Sequence, residues 1–310
     1  TSHAITGVGF QPDLFWGKKR LSGNGAHTIL DTIRGVSSFL ESNTGGVPGT
    51  TPAPLVSFDA DGVTLTDYGN VNSNTNTFVG WNWKAGGTPT ATNSAGAGNT
   101  PTAGSVKING SNLGSALAGT IPAIKLTANT TGGFSIVTWT GTEANGTVAH
   151  GLSVAPDLII AKDLGSGAAW RVGSDSIPTA WEYVMYLNQT PPATDENTAF
   201  NDTAPTASVF SLGASQDINT SGNEIIAYCF NSIEGYSKVG KYTGNLNANG
   251  PFAYTGFSPA WIMFKPNAAA DWTICDNKRN TYNAIADKTL NPNLNTAEHD
   301  GGMDFDFLSN

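Results

Sequence analysis

The sequence is poor in charge. Of its 310 residues only 13% are Asp, Glu, Lys or Arg, about half the roughly 25% usual for a globular chain. Acidic residues outnumber basic ones 24 to 15, giving a net charge of −9 and a pI near 4.7. No Lys/Arg cluster stands out, so the electrostatic footprint of a nucleic-acid binder is missing. Cysteine is scarce as well, with Cys229 and Cys275 alone. Two thiols so far apart make neither a disulfide framework nor a C-x-x-C metal or redox motif. They read as small buried apolar residues, with one disulfide between them as the second reading. The four His, His3, His27, His150 and His299, have no H-E-x-x-H spacing and no nucleophile-elbow phrase beside them, which removes the common metal and acyl-transfer signatures. No run approaches the roughly 20 apolar residues of a membrane-spanning helix. The opening Thr1-Ser2-His3-Ala4 has neither an initiator Met nor a signal sequence and reads as a processed chain or a piece of a longer one.

What is present is glycine (37 residues), abundant Thr, Ser and Asn, and a hydrophobic share of 39%. That mixture describes short apolar strands separated by polar turns. One phrase recurs: Pro, an apolar run, and Lys six places on. It stands as Pro12-Asp13-Leu14-Phe15-Trp16-Gly17-Lys18, as Pro156-Asp157-Leu158-Ile159-Ile160-Ala161-Lys162, and as Pro259-Ala260-Trp261-Ile262-Met263-Phe264-Lys265. A Gly-containing apolar lead-in precedes each copy, so the chain reads as an internal repeat. Asp31-x-x-Arg34 returns as Asp276-x-x-Arg279. Phe78-Val79-Gly80-Trp81-Asn82-Trp83 is echoed by Ile226-Ala227-Tyr228-Cys229-Phe230, with Val79 matching Ile226. Gly133-Phe134 through Gly141 is echoed by Gly235-Tyr236 through Gly244.

The expected fold is all-β, with tandem antiparallel β-sandwich repeats of jelly-roll or lectin-like form and no long amphipathic helix. The expected divisions are 1–141, a first repeat carrying a Gly/Thr-rich insertion at about 85–131; 142–244, a second repeat; and 245–310, an incomplete third. An insertion confined to one copy is expected to be a surface loop. The aromatic core is expected to draw on Trp16, Trp81, Trp83, Trp139 and Trp261.

Candidate sites are few. Asp59-Ala60-Asp61-Gly62 reads first as a hairpin turn whose carboxylates bond their own backbone, and second, with Asp67, as a calcium seat of hard oxygen ligands; otherwise no cofactor is expected. Among the aromatics, those at repeated positions read as core. The unrepeated ones, Trp170, Trp181, Tyr183 and Tyr282, are freer to stack on a sugar ring, and Trp181 and Tyr183 are the candidates for a glycan site. Lys18, Lys162 and Lys265 read as structural, snorkelling over apolar neighbours or pairing with an Asp such as Asp31 or Asp276. Asp and Glu are too sparse to nominate the opposed carboxylates of a glycosidase.

In combination these phrases resemble an uncharacterised repeat domain widespread in virion proteins of bacteriophages, particularly marine and cyanobacterial ones. The phrases are Gly-Phe-x-Pro-Asp-Leu with its Lys, Asp-x-x-Arg, Val79-Gly-Trp-Asn-Trp-Lys-Ala-Gly-Gly, Gly133-Phe-Ser-Ile-Val-Thr-Trp-Thr-Gly and His150-Gly-Leu-x-x-Ala-Pro-Asp-Leu. The resemblance implies a non-enzymatic structural protein of the virion, in a tail fibre or other surface appendage that takes part in host attachment. The expected partners are its own copies in a homo-oligomer, three-fold in its expected form, other virion proteins and a host surface glycan, with no nucleic acid and no membrane insertion. Two other classes stand beside it: a carbohydrate-binding receptor module, and a secreted cell-surface adhesin or filament subunit with donated strands.

Overall fold

The computed structural model describes every residue except 1, 22–23, 248, 281–286, 302–304 and 309–310; Tyr282, Asp304 and the Ser22-Gly23 half of the first turn therefore lie outside the described residues. The chain is 33% strand and 3% helix, which makes it an all-β protein. Its first strands are β1 (His3–Thr6), β2 (Leu14–Lys19), β3 (Thr28–Asp31), β4 (Leu40–Glu41), β5 (Leu55–Asp59) and β6 (Gly62–Leu65). A single helical turn, α1 (Gly69–Asn72), leads to β7 (Phe78–Trp83). Then come β8 (Val106–Ile108), β9 (Ser111–Asn112), β10 (Ala123–Asn129), β11 (Phe134–Thr140) and β12 (Gly146–Ala149). The next group is β13 (Leu158–Asp163), β14 (Arg171–Ser174), β15 (Tyr183–Tyr186), β16 (Thr194–Asp195), the turn α2 (Asn197–Phe200), β17 (Val209–Leu212) and β18 (Glu224–Phe230). The last hairpin is β19 (Trp261–Phe264) and β20 (Thr273–Asp276).

These strands stack in layers. A nine-stranded sheet, ordered β16-β15-β14-β13-β18-β11-β10-β8-β9, runs through the middle and is antiparallel except at the β8–β10 pair. Both of its faces are buried. Val137, Trp139, Ile159, Ala161, Ile225, Ala227 and Cys229 point into one core, and Ile136, Ile160, Val172, Tyr228 and Ile226 point into another. This explains why β13 and β18 read as unbroken apolar runs, since a strand covered on both sides has no solvent face to mark with polar residues. The first core is closed by β12–β17 and α2, with Phe210 edge-on to Trp139 at 5.5 Å between centroids. The second is closed by the sheet β4-β3-β2-β7 and by the hairpin β19–β20. A third core, around Phe15, Leu30, Phe39 and Leu65, joins the far face of β2–β3 to the sheet β1-β6-β5.

Within β2 and β7 the alternation does what the sequence suggests. Trp16 and Trp81 lie opposite each other and meet edge to face at 6.0 Å, while Gly17 and Gly80 lie opposite each other on the other face. The Phe15 ring covers both glycines, and a Cβ on Gly80 would sit 2.7 Å from it. Full burial of aromatic side chains of this size is the main stabilising contribution of such a layer, about 2–3 kcal/mol each.

Two expectations are corrected here. The Gly/Thr-rich stretch 85–131 is more than a surface loop: it supplies β8, β9 and β10 to the central sheet, and Val106, Ala123, Leu126 and Ala128 from it are fully buried. The division at 141 falls inside that sheet, because β11 pairs along its whole length with β18 of the second segment. The cores therefore do not follow the three sequence segments one for one.

Candidate functional site

Three hairpins, β2–β3, β13–β14 and β19–β20, surround the second core, and they share one register. Leu14 is opposite Asp31, Leu158 opposite Ser174, and Trp261 opposite Asp276. The Asp-x-x-Arg phrase closes the first and last of them in the same way. Asp31 Oδ1 accepts the backbone N–H groups of Ile33 and Arg34 at 3.1 and 2.9 Å, Oδ2 accepts Arg34 Nε at 2.7 Å, and Arg34 Nη2 donates back to Ile29 O at 3.1 Å. Asp276 Oδ1 accepts Lys278 N and Arg279 N at 2.9 and 3.0 Å, Oδ2 accepts Arg279 Nε at 2.7 Å, and Arg279 Nη2 donates to Ile274 O at 3.0 Å. Burial works against the Arg34 charge, but Asp31 outweighs it and holds the guanidinium above its usual pKa.

Each clamp receives an aromatic donor from another part of the chain. Tyr228 of β18 donates its hydroxyl to Asp31 Oδ2 at 2.8 Å and accepts Arg34 Nη2 at 3.1 Å. Burial pushes the Tyr228 phenol well above its usual pKa. Trp81 of β7 donates its indole N–H to Asp276 Oδ2 at 3.1 Å, and the Arg279 guanidinium lies 5.9 Å from its ring centroid. Trp81 and Tyr228 occupy matching places, the third from the end in β7 and in β18. The paired aromatic and carboxylate were each visible in the sequence as repeated residues; that one reaches the other across the core was not, because nothing local encodes it.

The recurring lysines are structural, though their partners differ from those expected. Lys18 and Lys162 are wholly buried and donate to backbone carbonyls rather than to Asp31 or Asp276: Lys18 to Lys19 O and Thr296 O at 2.8 Å each, Lys162 to Asp163 O and Ser166 O at 2.5 and 3.1 Å. Lys265 does the same with Thr190 O, Pro266 O and Ala268 O. An ammonium with three donors thus holds the loop that follows the strand at Lys162 and Lys265, and ties the end of β2 to the distant Thr296 at Lys18. Burial lowers Lys18 and Lys162 to about 8. His150 is buried, with Nδ1 accepting the Leu152 N–H at 3.1 Å and Nε2 lying 3.1 Å from Thr206 O, so the proton is on Nε2. Burial lowers it to about 4. Both cysteines are free and buried, and burial pushes the Cys229 thiol up to about 12 and Cys275 to about 11.

Between the hairpins lies a cavity of about 1740 Å³. Its walls include Trp16, Trp81, Ile177, Met185, Trp261 and Met263, and it is continuous with the exposed segment Tyr236–Gly244. Trp83 stands edge-on to Trp261 at 5.5 Å and to Phe230 at 6.4 Å.

The sites proposed from sequence do not assemble. Trp181 is only 4% exposed and packs edge-on against Phe200 at 5.6 Å in the first core, so it has no free face for a sugar. Tyr183 is half-buried against the second core, and the two rings do not share a surface. Trp170 is fully buried and donates its indole N–H to Thr44 O and Glu41 O. Asp59 is engaged by the Ser57 and Thr64 hydroxyls at 2.6 and 2.7 Å. Asp61 accepts the Gly7 and Gly9 amides at 3.0 and 2.5 Å, which tie the segment between β1 and β2 to the β5–β6 turn and lower its pKa. Asp67 is exposed. Among the described residues no group of three His, Cys, Asp or Glu converges as a metal centre, and no helix is long and apolar enough to cross a membrane.

A layered, predominantly antiparallel all-β protein whose buried charged side chains bond one another and its own backbone is the class that this fold and site define. The chain belongs to the family described as Domain of unknown function (DUF7483), which it matches over residues 1–110 and 97–310. No curated protein and no solved structure matches it.

Proposed function

We propose that the chain is a non-enzymatic structural protein of a bacteriophage virion, part of a tail fibre or another surface appendage, acting in host attachment as a homo-oligomer with three-fold symmetry. The observation that carries the structural reading is the fate of the reactive side chains. Lys18, Lys162, Asp31, Arg34, His150 and Cys229 are buried, and the charged ones and His150 are bonded to loop carbonyls, amides or each other. Groups held in this way lock strands in place and are not offered to a substrate. The resemblance of the repeated phrases to phage virion domains supplies the setting. The carbohydrate-binding alternative loses its platform with the burial of Trp181. The mass of the native assembly, taken with the intact mass of its chain, tests the proposal: an assembly of three chains supports it, and a monomer at the concentration found on a particle would sink it. Immunogold labelling of intact particles tests the location, with label expected on an appendage.

A further inference from the structure

The outer strands of the three hairpins are not equally covered. β2 has β3 on one side and β7 on the other, and β13 has β14 and β18 in the same two places. β19 has β20 on one side and no described strand on the other. The consequence shows in burial: the middle residues of β2 and β13 are buried, whereas all four residues of β19 are half-exposed.

The far side of the gap is also prepared. β18 lies between β13 and β11, and β11 begins with the phrase Gly133-Phe134-Ser135 that recurs as Gly235-Tyr236-Ser237. The recurring segment Tyr236–Gly244 lines the same cavity as β19 and carries no strand pairing beyond one bridge, Ile233 to Ser237. The strand β19 and a segment whose sequence counterpart is β11 thus line one cavity, where β18 lies between β13 and β11 in the second hairpin.

The contacts between hairpins point to the same vacancy. Tyr228 reaches from beside the second hairpin to the clamp of the first, and Trp81 from beside the first to the clamp of the last. The indoles at the start of β14 and β20 follow the same order, Trp170 donating to Glu41 O and Trp272 to Tyr186 O. One contact would complete the cycle, a side chain from beside β19 reaching the second hairpin. At that end stand Ser174 and Ile177, in the places of Asp and Arg, and both line the cavity.

We propose that the slot between β19 and Tyr236–Gly244 binds an added extended polypeptide strand, antiparallel to β19, with apolar side chains at alternate positions as in β7. Main-chain hydrogen bonds to an open edge supply affinity, and the pockets for alternate side chains supply specificity. The central side chain lies over Met263, as Trp81 lies opposite Trp16 and Tyr228 opposite Ile160. It meets Ser174 and Ile177 rather than a carboxylate and a guanidinium, so an apolar aromatic, Phe, is favoured there over a Tyr or Trp that needs a strong acceptor. The inference does not depend on which particle carries the chain.

The test uses the full chain and a synthetic peptide with the sequence Glu224–Phe230 carrying Tyr228→Phe and Cys229→Ser. Calorimetry should give saturable binding at one peptide per chain. The same peptide with alternate amides N-methylated, or with its residues reordered, should bind at least about tenfold more weakly, because the ladder or the alternation is lost. Hydrogen exchange should slow at Ile262–Phe264 and at Lys238–Tyr242 together. Met263→Asp, which puts a carboxylate beneath the central side chain, should weaken binding to a similar degree; if that variant does not fold, the N-methylated peptide carries the comparison. Absence of binding, equal binding of the reordered peptide, or protection confined to the outer edge of β7 would each overturn the proposal.

Discussion

At the scale of single residues, the most consequential groups are the two Asp-x-x-Arg clamps, because they put ion pairs into a core. Arg34 and Asp31 have side chains 4% and 0% exposed, and Arg279 and Asp276 2% and 3%. Removing one partner of such a pair leaves the other charged, buried and unmatched, at a cost of about 3–5 kcal/mol. Arg34→Met and Arg279→Met are each expected to destabilise the protein by that amount, measured as the fall in unfolding free energy in urea; a loss below about 1 kcal/mol would show that water already reaches these carboxylates. A second residue-scale effect is pH-dependent. His150 is lowered from 6.5 to about 4 by burial, so between those values the unfolded chain binds the proton and the folded chain does not. Its stabilising contribution is therefore fully present above pH 6.5 and is lost as pH falls towards 4. Between pH 7 and 5 it should lower stability by about 2 kcal/mol. The same titration on His150→Gln should show a shallower slope, and identical slopes would refute the assignment. His27, also buried and lowered, adds to the wild-type slope in the same direction and remains in the variant.

At the scale of elements, β1 depends on one glycine. Gly62 opens β6 with φ of +146°, and a Cβ placed on it would collide with the Ile5 carbonyl of β1. Gly62→Ala is expected to cost at least about 2 kcal/mol through strain and the lost β1–β6 ladder, with hydrogen exchange rising at Ala4–Thr6 while β13 and β18 stay protected. Uniform exchange across all of these strands would mean that β1 does not yield separately. How much of this level was legible in the sequence depends on how a strand announces itself. β2, β13 and β19 were visible because the same apolar phrase occurs three times, and β7 and β18 because one echoes the other. β10 was missed because Ala123, Leu126 and Ala128 sit among Thr, Asn and Lys in a stretch whose Gly/Thr composition reads as loop. The pairing of β11 with β18 was missed for another reason: register between strands far apart in sequence is set by the shared core, not by the strands themselves. Trp181 was misread because it is unrepeated, and a residue outside the repeat can fill a core as well as a site. The Asp59–Asp61 stretch is a hairpin turn as read, but its carboxylates bond the Ser57 and Thr64 hydroxyls and the distant Gly7 and Gly9 amides rather than their own backbone.

At the scale of the whole molecule, the second core decides how the chain folds. It takes residues from Leu14 in β2 to Leu290 near the end, and it includes both Trp81 and Tyr228, whose polar atoms are bonded to clamps elsewhere in the chain. Glu298 adds a tie between distant parts: burial disfavours its charge, but Arg20 and Arg279, at 2.8 and 2.9 Å, outweigh this and hold its carboxyl below the usual range. A repeat protein whose units contact only their neighbours along the sequence unfolds in stages, because each unit keeps its own core. Here the first and last hairpins share one core with the middle sheet, and of the three cores only the small one around Phe15, Leu30 and Leu65 lies within a single segment. The chain is expected to unfold in a single transition, with far-ultraviolet circular dichroism and tryptophan fluorescence giving coincident midpoints. An excised fragment 142–244 would lack β11, which pairs with the full length of β18, and would lack the β2–β7 sheet that covers Ile160 and Tyr228. It is expected to remain unfolded, with no cooperative thermal transition. A fragment that melts cooperatively on its own would show instead that the second segment is an independent domain, and the shared core would then be an interface between domains rather than the nucleus of one.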